Sequence, residues 1–86
     1  MFTESFTLKN KQWQKLSDYI TLIEGTVYLI QPNTQTLFFY QGTEAPDSTA
    51  MGILIDPCNI IKFKYTANTY IRVSNINTVV TIKDIL

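Results

Sequence analysis

The stretch TVYLIQPNTQTLFFYQ, residues 26–41, decides the fold. Two runs rich in β-branched and aromatic residues, 26–31 and 36–41, flank Pro32-Asn33. Proline presets φ and asparagine tolerates tight backbone conformations, so this pair marks a turn, and the segment predicts two antiparallel strands joined as a hairpin. Side chains alternate with period two, placing Phe38 and Tyr40 opposite Leu37 and Phe39, and Val27 and Leu29 opposite Tyr28 and Ile30. Apolar groups on both faces call for burial on both faces, and a chain of 86 residues has few layers with which to cover them. A neighbouring subunit on one face is the expectation.

The rest of the chain follows the same plan. A loop over residues 42–49 leads to MGILI, then the turn Asp56-Pro57-Cys58-Asn59, then IIKFKY, the turn TAN, TYIRV, the turn SNIN and TVVTI. Short apolar runs closed by Asn, Asp, Pro or Gly read as four further strands, six with the two of residues 26–41, joined by short connections. Two of them are one-sided: Ile71 and Val73 oppose Tyr70, Arg72 and Ser74, and Ile61, Phe63 and Tyr65 oppose Ile60, Lys62 and Lys64. Near the N-terminus, WQKLSDYI carries Trp13, Leu16 and Ile20 at helical spacing, which fits one short helical turn as well as a strand. The predicted class is all-β, a small antiparallel sandwich or barrel forming one domain over residues 1–86. Within it, residues 1–10 are expected to act as an arm, because Phe2, Phe6 and Leu8 share one face of an extended strand.

Composition narrows the function classes. Seven basic and seven acidic side chains cancel, which leaves no cationic excess to neutralise phosphates, so nucleic acid is not an expected partner. No apolar run approaches the roughly 20 residues of a membrane span, and MFTESFTLKN lacks the regions of a signal peptide, so the chain is expected to fold in the cytoplasm without a membrane partner. Low charge with abundant Thr, Ser, Asn and Gln gives little repulsion between copies, as suits a component of an assembly.

Catalysis finds no foothold in the sequence. Ser5, Ser17, Ser48, Ser74 and Cys58 have no histidine to act as general base, since the chain contains none. Glu44, Asp47 and Asp56 offer carboxylates for acid–base work or calcium, but they fall in turn-forming loops without calcium-loop spacing. No disulfide, zinc set, phosphate loop or other cofactor is expected, and the chain is expected not to be an enzyme. Lys62, Lys64 and Arg72 fit a basic stripe or a solvated sheet face. Trp13, Tyr40 and Tyr70 fit a sugar-stacking platform or core and interface anchors.

Several of these features combine into a family pattern. Trp13, Leu16 and Ser17, then Gly25, then Tyr28-Leu29-Ile30-Gln31-Pro32-Asn33, Ala45-Pro46, Gly52-Ile53-Leu54 and Tyr70-Ile71-Arg72 resemble small β-sandwich virion proteins of tailed bacteriophages. The likeness spans residues 11–82 and departs from the pattern at Pro32 and at Asp56-Pro57-Cys58. It implies a capsid decoration or head-fibre base protein located in the virion. It also implies self-association, commonly as a trimer, and contact with the major capsid protein or another virion protein. A tail adaptor or tail-fibre module that binds a host glycan is the alternative. A host-directed inhibitor would call for an acidic, nucleic-acid-like face, which the sequence does not supply. The expected interface residues are Phe2, Phe6, Leu8, Trp13, Leu37, Phe38, Phe39 and Tyr40.

Overall fold

A computed structural model describes residues 3–9, 11–44, 46–47, 52–73 and 78–84. Eight strands run through them: β1 (Thr3–Leu8), β2 (Gln14–Lys15), β3 (Val27–Pro32), β4 (Leu37–Gln41), β5 (Ile53–Ile55), β6 (Ile61–Lys64), β7 (Thr69–Val73) and β8 (Thr78–Asp84). They form two antiparallel four-stranded sheets, ordered β1-β8-β3-β6 and β2-β7-β4-β5. The chain is all-β, as its sequence predicts, and the six strands read after residue 25 are all present. In this strand order the chain repeatedly steps from one sheet to the facing one, the connectivity of a jelly-roll sandwich.

That connectivity corrects the hairpin. β3 and β4 do not pair: β3 lies between β8 and β6 in the first sheet, and β4 lies between β7 and β5 in the second. Tight hairpins favour turns with positive φ, and a proline at φ near −65° opposes them. The linker is instead tied to β8. The Asn33 amide N–H donates to the Val79 carbonyl at 2.7 Å, the Asn33 side-chain amide donates to Thr81 Oγ1 at 2.7 Å, and the Val79 N–H donates to Thr34 Oγ1 at 3.2 Å. The chain therefore crosses the sandwich here, and the inward faces of β3 and β4 meet across the core.

Tyr28 and Ile30 point inward from one sheet, Leu37 and Phe39 from the other, joined by Leu8, Leu16, Ile20, Ile55, Phe63, Tyr65, Ile71, Val73, Val80 and Ile82. Phe39 meets Phe63 edge-on at 5.2 Å between ring centroids, which fixes how the sheets face each other. β6 is one-sided as its alternation predicts, whereas on β7 Tyr70, expected on the open face, is also buried at 8% exposure, and Ser74 lies outside the described residues. Ile71 and Val73 are buried, as are Phe63 and Tyr65, while Ile60, Lys62 and Lys64 are exposed. In the ambiguous segment the chain takes a little of each form, the two-residue strand β2 followed by a single 3-10 turn over Leu16–Asp18. Leu16 and Ile20 from this segment enter the core, and Trp13 does not.

The first strand is a second correction. Instead of reaching out as an arm, β1 pairs along its whole length with β8, from Thr3 opposite Lys83 to Leu8 opposite Thr78. Leu8 is fully buried in the core of its own chain, and Phe6 stacks on Tyr19 at 5.3 Å. An edge position with two inward apolar residues, Phe6 and Leu8, is a more economical use of this strand than a free terminus that would fray. Phe2, Ala45, Ser48 and the SNIN turn, residues 74–77, lie outside the described residues.

Candidate functional site

Two regions stand out once the core is assigned. The first is the outer face of the second sheet. Trp13, just before β2, lies on this face. The Trp13 ring lies 5.8 Å from Tyr40, and its Cη2 would come within 2.9 Å of a methyl group placed on Gly52. Arg72, opposite Phe38 in the β4–β7 register, sets its guanidinium carbon 5.1 Å from the Trp13 ring centroid and 4.8 Å from that of Phe38. A cation between two aromatic faces gains from both quadrupoles and holds Arg72 in one orientation.

Beside this cluster is a depression of about 360 Å³ lined by Lys11, Gln12, Trp13, Pro46 and Arg72. Among the described residues, two cations and an aromatic ring share this lining without a carboxylate. Trp13 Nε1 and Arg72 Nε are enclosed and meet no acceptor among the described residues. Buried polar groups usually find partners, so two unmet donors on adjoining residues mark the place as unusual within the fold.

The second region is a flank. β5 and β6 end the two sheets, and the short connection between them places both ends on the same side of the sandwich. Among the described residues, three of the four strongly exposed large apolar side chains belong to these two strands and the connection between them. Ile53 and Leu54 on β5 are 55% and 56% exposed, and Ile60, just before β6, is 49% exposed. Ile23, at 71%, sits in a loop tied to the far end of β6, where the Gly25 N–H donates to the Tyr65 carbonyl at 2.9 Å. The turn linking the strands carries Cys58, exposed and with φ of 69°.

Against this map, the interface residues expected from sequence separate. Leu8, Leu37 and Phe39 are core residues of the single chain, which corrects their assignment to a contact with a neighbour. Phe38, Tyr40 and Trp13 lie together on the outer face of the second sheet, each half-buried, and Phe6 is half-buried against Tyr19. The two-sided apolar pattern of β4 is thus met largely from within the chain, by Trp13 and Arg72. On β3, Leu29 sits between Lys62 and Lys83 in the register, where lysine stems can cover it. The basic stripe also divides. Lys62 and Lys64 belong to the first sheet, and Arg72 belongs to the second.

The groups weighed for chemistry stay apart. Ser5 shares a hydrogen bond with Thr81 at 2.8 Å, Ser17 is exposed, Glu44 and Asp47 are exposed on the connection between β4 and β5, and Asp56 is exposed on the next one. Among the described residues, no three of His, Cys, Asp and Glu gather as a ligand set for a metal ion. Sequence reasoning missed Ile53 and Leu54, taken as an ordinary strand, and the company Lys11 and Gln12 keep with Arg72. Compared with protein-family models, curated proteins and solved structures, the chain finds no match.

Proposed function

We propose that the chain is a non-catalytic structural protein of a bacteriophage particle, a capsid decoration or head-fibre base protein that self-associates through the flank formed by β5 and β6. The observation that carries this is the half-exposure of Ile53 and Leu54 on β5 and of Ile60 just before β6, with β5 a strand edge whose only partner among the described residues is β4. An edge with exposed apolar side chains is a template for pairing unless another chain covers it. Each of the three side chains has about half of its surface in water, so completing its burial is worth roughly 1 kcal/mol. Over two facing copies that approaches roughly 6 kcal/mol, comparable with the lower range of association costs. Backbone hydrogen bonds along β5 add to it.

The virion role rests on the sequence resemblance. Jelly-roll sandwiches serve capsid and lectin domains among others, so this connectivity accommodates the role without selecting it. The resemblance also supplies the trimer. Three flanks facing a common axis would set β5 of one copy against β6 of the next, a head-to-tail contact that closes.

Sedimentation equilibrium tests the association. The native chain is expected at three times its 9.9 kDa mass at tens of micromolar, and Leu54→Lys at the mass of one folded chain. A native chain that stays at 9.9 kDa, or a Leu54→Lys variant that associates as before, would refute the flank.

A further inference from the structure

We propose that the depression beside Trp13 binds a sugar ring bearing a carboxylate, with Arg72 and Lys11 holding the carboxylate and Trp13 the ring. The site lies on the outer face of the second sheet and does not depend on association through the β5–β6 flank.

Three properties of the lining define the ligand. The charge comes first. Lys11 and Arg72 are both cations, and among the described residues no carboxylate lines the depression. In a chain whose charges otherwise balance, that combination calls for an anion. Arg72 then sets its geometry. Its guanidinium is held between Trp13 and Phe38 and its Nε is enclosed, which leaves the terminal Nη donors as the end that can meet a ligand. A planar fork of this kind matches a carboxylate, and a single fork with one flexible lysine suits one negative charge better than a doubly charged phosphate.

The body of the ligand is read from the remaining wall. Trp13 and Pro46 present apolar surface, and Gln12 adds an amide. An indole packs against the C–H face of a pyranose while polar groups at its margin meet the hydroxyls. At about 360 Å³ the depression falls within the range of small-ligand sites.

The chain contains one tryptophan, so tryptophan emission reports on the surroundings of Trp13, which lines this depression. Native protein is titrated with trigalacturonate, with the fully methyl-esterified trisaccharide, with acetate and with inorganic phosphate. Trigalacturonate is expected to change Trp13 emission saturably, and the ester, which keeps the rings and loses the charges, to leave it unchanged. Acetate is expected to bind far more weakly than the trisaccharide. Lys11→Gln, an exposed change away from the core, is expected to weaken trigalacturonate about tenfold, and Arg72→Lys at least as much because it keeps the charge and loses the fork. Circular dichroism establishes that each variant is folded, and if Arg72→Lys is not, the Lys11→Gln result decides. No saturable change with trigalacturonate, equal binding of the ester, equal binding of acetate or phosphate, or unchanged affinity in Lys11→Gln would each overturn the proposal.

Discussion

Changing Phe39 to Asp is expected to unfold the chain, while the same change at its neighbour Phe38 leaves it folded. Phe39 is 3% exposed and packs on Phe63 between the sheets. Truncating a buried phenylalanine costs about 3–5 kcal/mol, and a carboxylate in its place adds the cost of an unpaired buried charge. Together these exceed much of the roughly 5–10 kcal/mol that stabilises a domain of this size. Phe38 faces outward and is only half-buried. Its replacement loses a ring contact with Arg72 and places a carboxylate near that guanidinium, for a net cost of about 1 kcal/mol. Urea titrations followed by far-ultraviolet circular dichroism separate the two variants. Equal loss of structure in both would mean that the faces of β4 are wrongly assigned.

Gly52→Val is expected to be the most damaging change outside the core. Gly52 has φ of +67°, a conformation that costs a β-branched residue about 1–2 kcal/mol. A Cβ there would also fall 2.5 Å from the Phe39 carbonyl oxygen and 2.9 Å from Trp13 Cη2. The carbonyl belongs to β4 and cannot yield without disturbing its pairing, so the total loss is on the order of 3 kcal/mol. Because the Trp13 ring is the other neighbour, tryptophan emission should shift in whatever folded fraction remains. Gly25→Ala is the control: it too has positive φ, at 85°, but its Cβ would meet nothing within 4 Å, so only the backbone cost of about 1 kcal/mol applies. Equal destabilisation by both changes would contradict the close approach at Gly52.

The strands were legible because their signals are local. β-branched runs between Asn, Pro and Gly clusters mark β3 to β8, and lysines alternating with Phe63 already show which face of β6 is wet. Pairing was not legible at residues 26–41. A short polar linker after Pro32 serves equally for a chain that turns back within one sheet and for one that crosses to the facing sheet, and the side-chain period is identical in both. The hydrogen bonds of Asn33 and Thr34 to β8 decide it, from 45 or more residues away.

For the same reason, the buried face of β4 was hidden. Leu37 with Phe39 and Phe38 with Tyr40 are equally apolar, and the outer pair is covered by Trp13 and Arg72 from remote parts of the chain. Trp13 and Tyr40 were visible as aromatic candidates, whereas the grouping of Lys11, Gln12 and Pro46 with Arg72 exists only once β7 lies beside β2. The exposed flank was hidden because GILI reads as buried strand wherever it occurs, and only strand order makes β5 an edge.

The β5–β6 flank as the contact between copies is the central claim, and Cys58 offers a direct view of it. This is the chain's single cysteine, exposed in the turn that joins the two strands. A nitroxide attached there and measured by pulsed dipolar spectroscopy at tens of micromolar should give a defined distance between copies, shorter than the 34 Å long dimension of one chain. Leu54→Lys should abolish it. A signal from the native chain showing only the background of separate molecules, or a defined distance beyond 34 Å, would place any contact elsewhere and contradict the account.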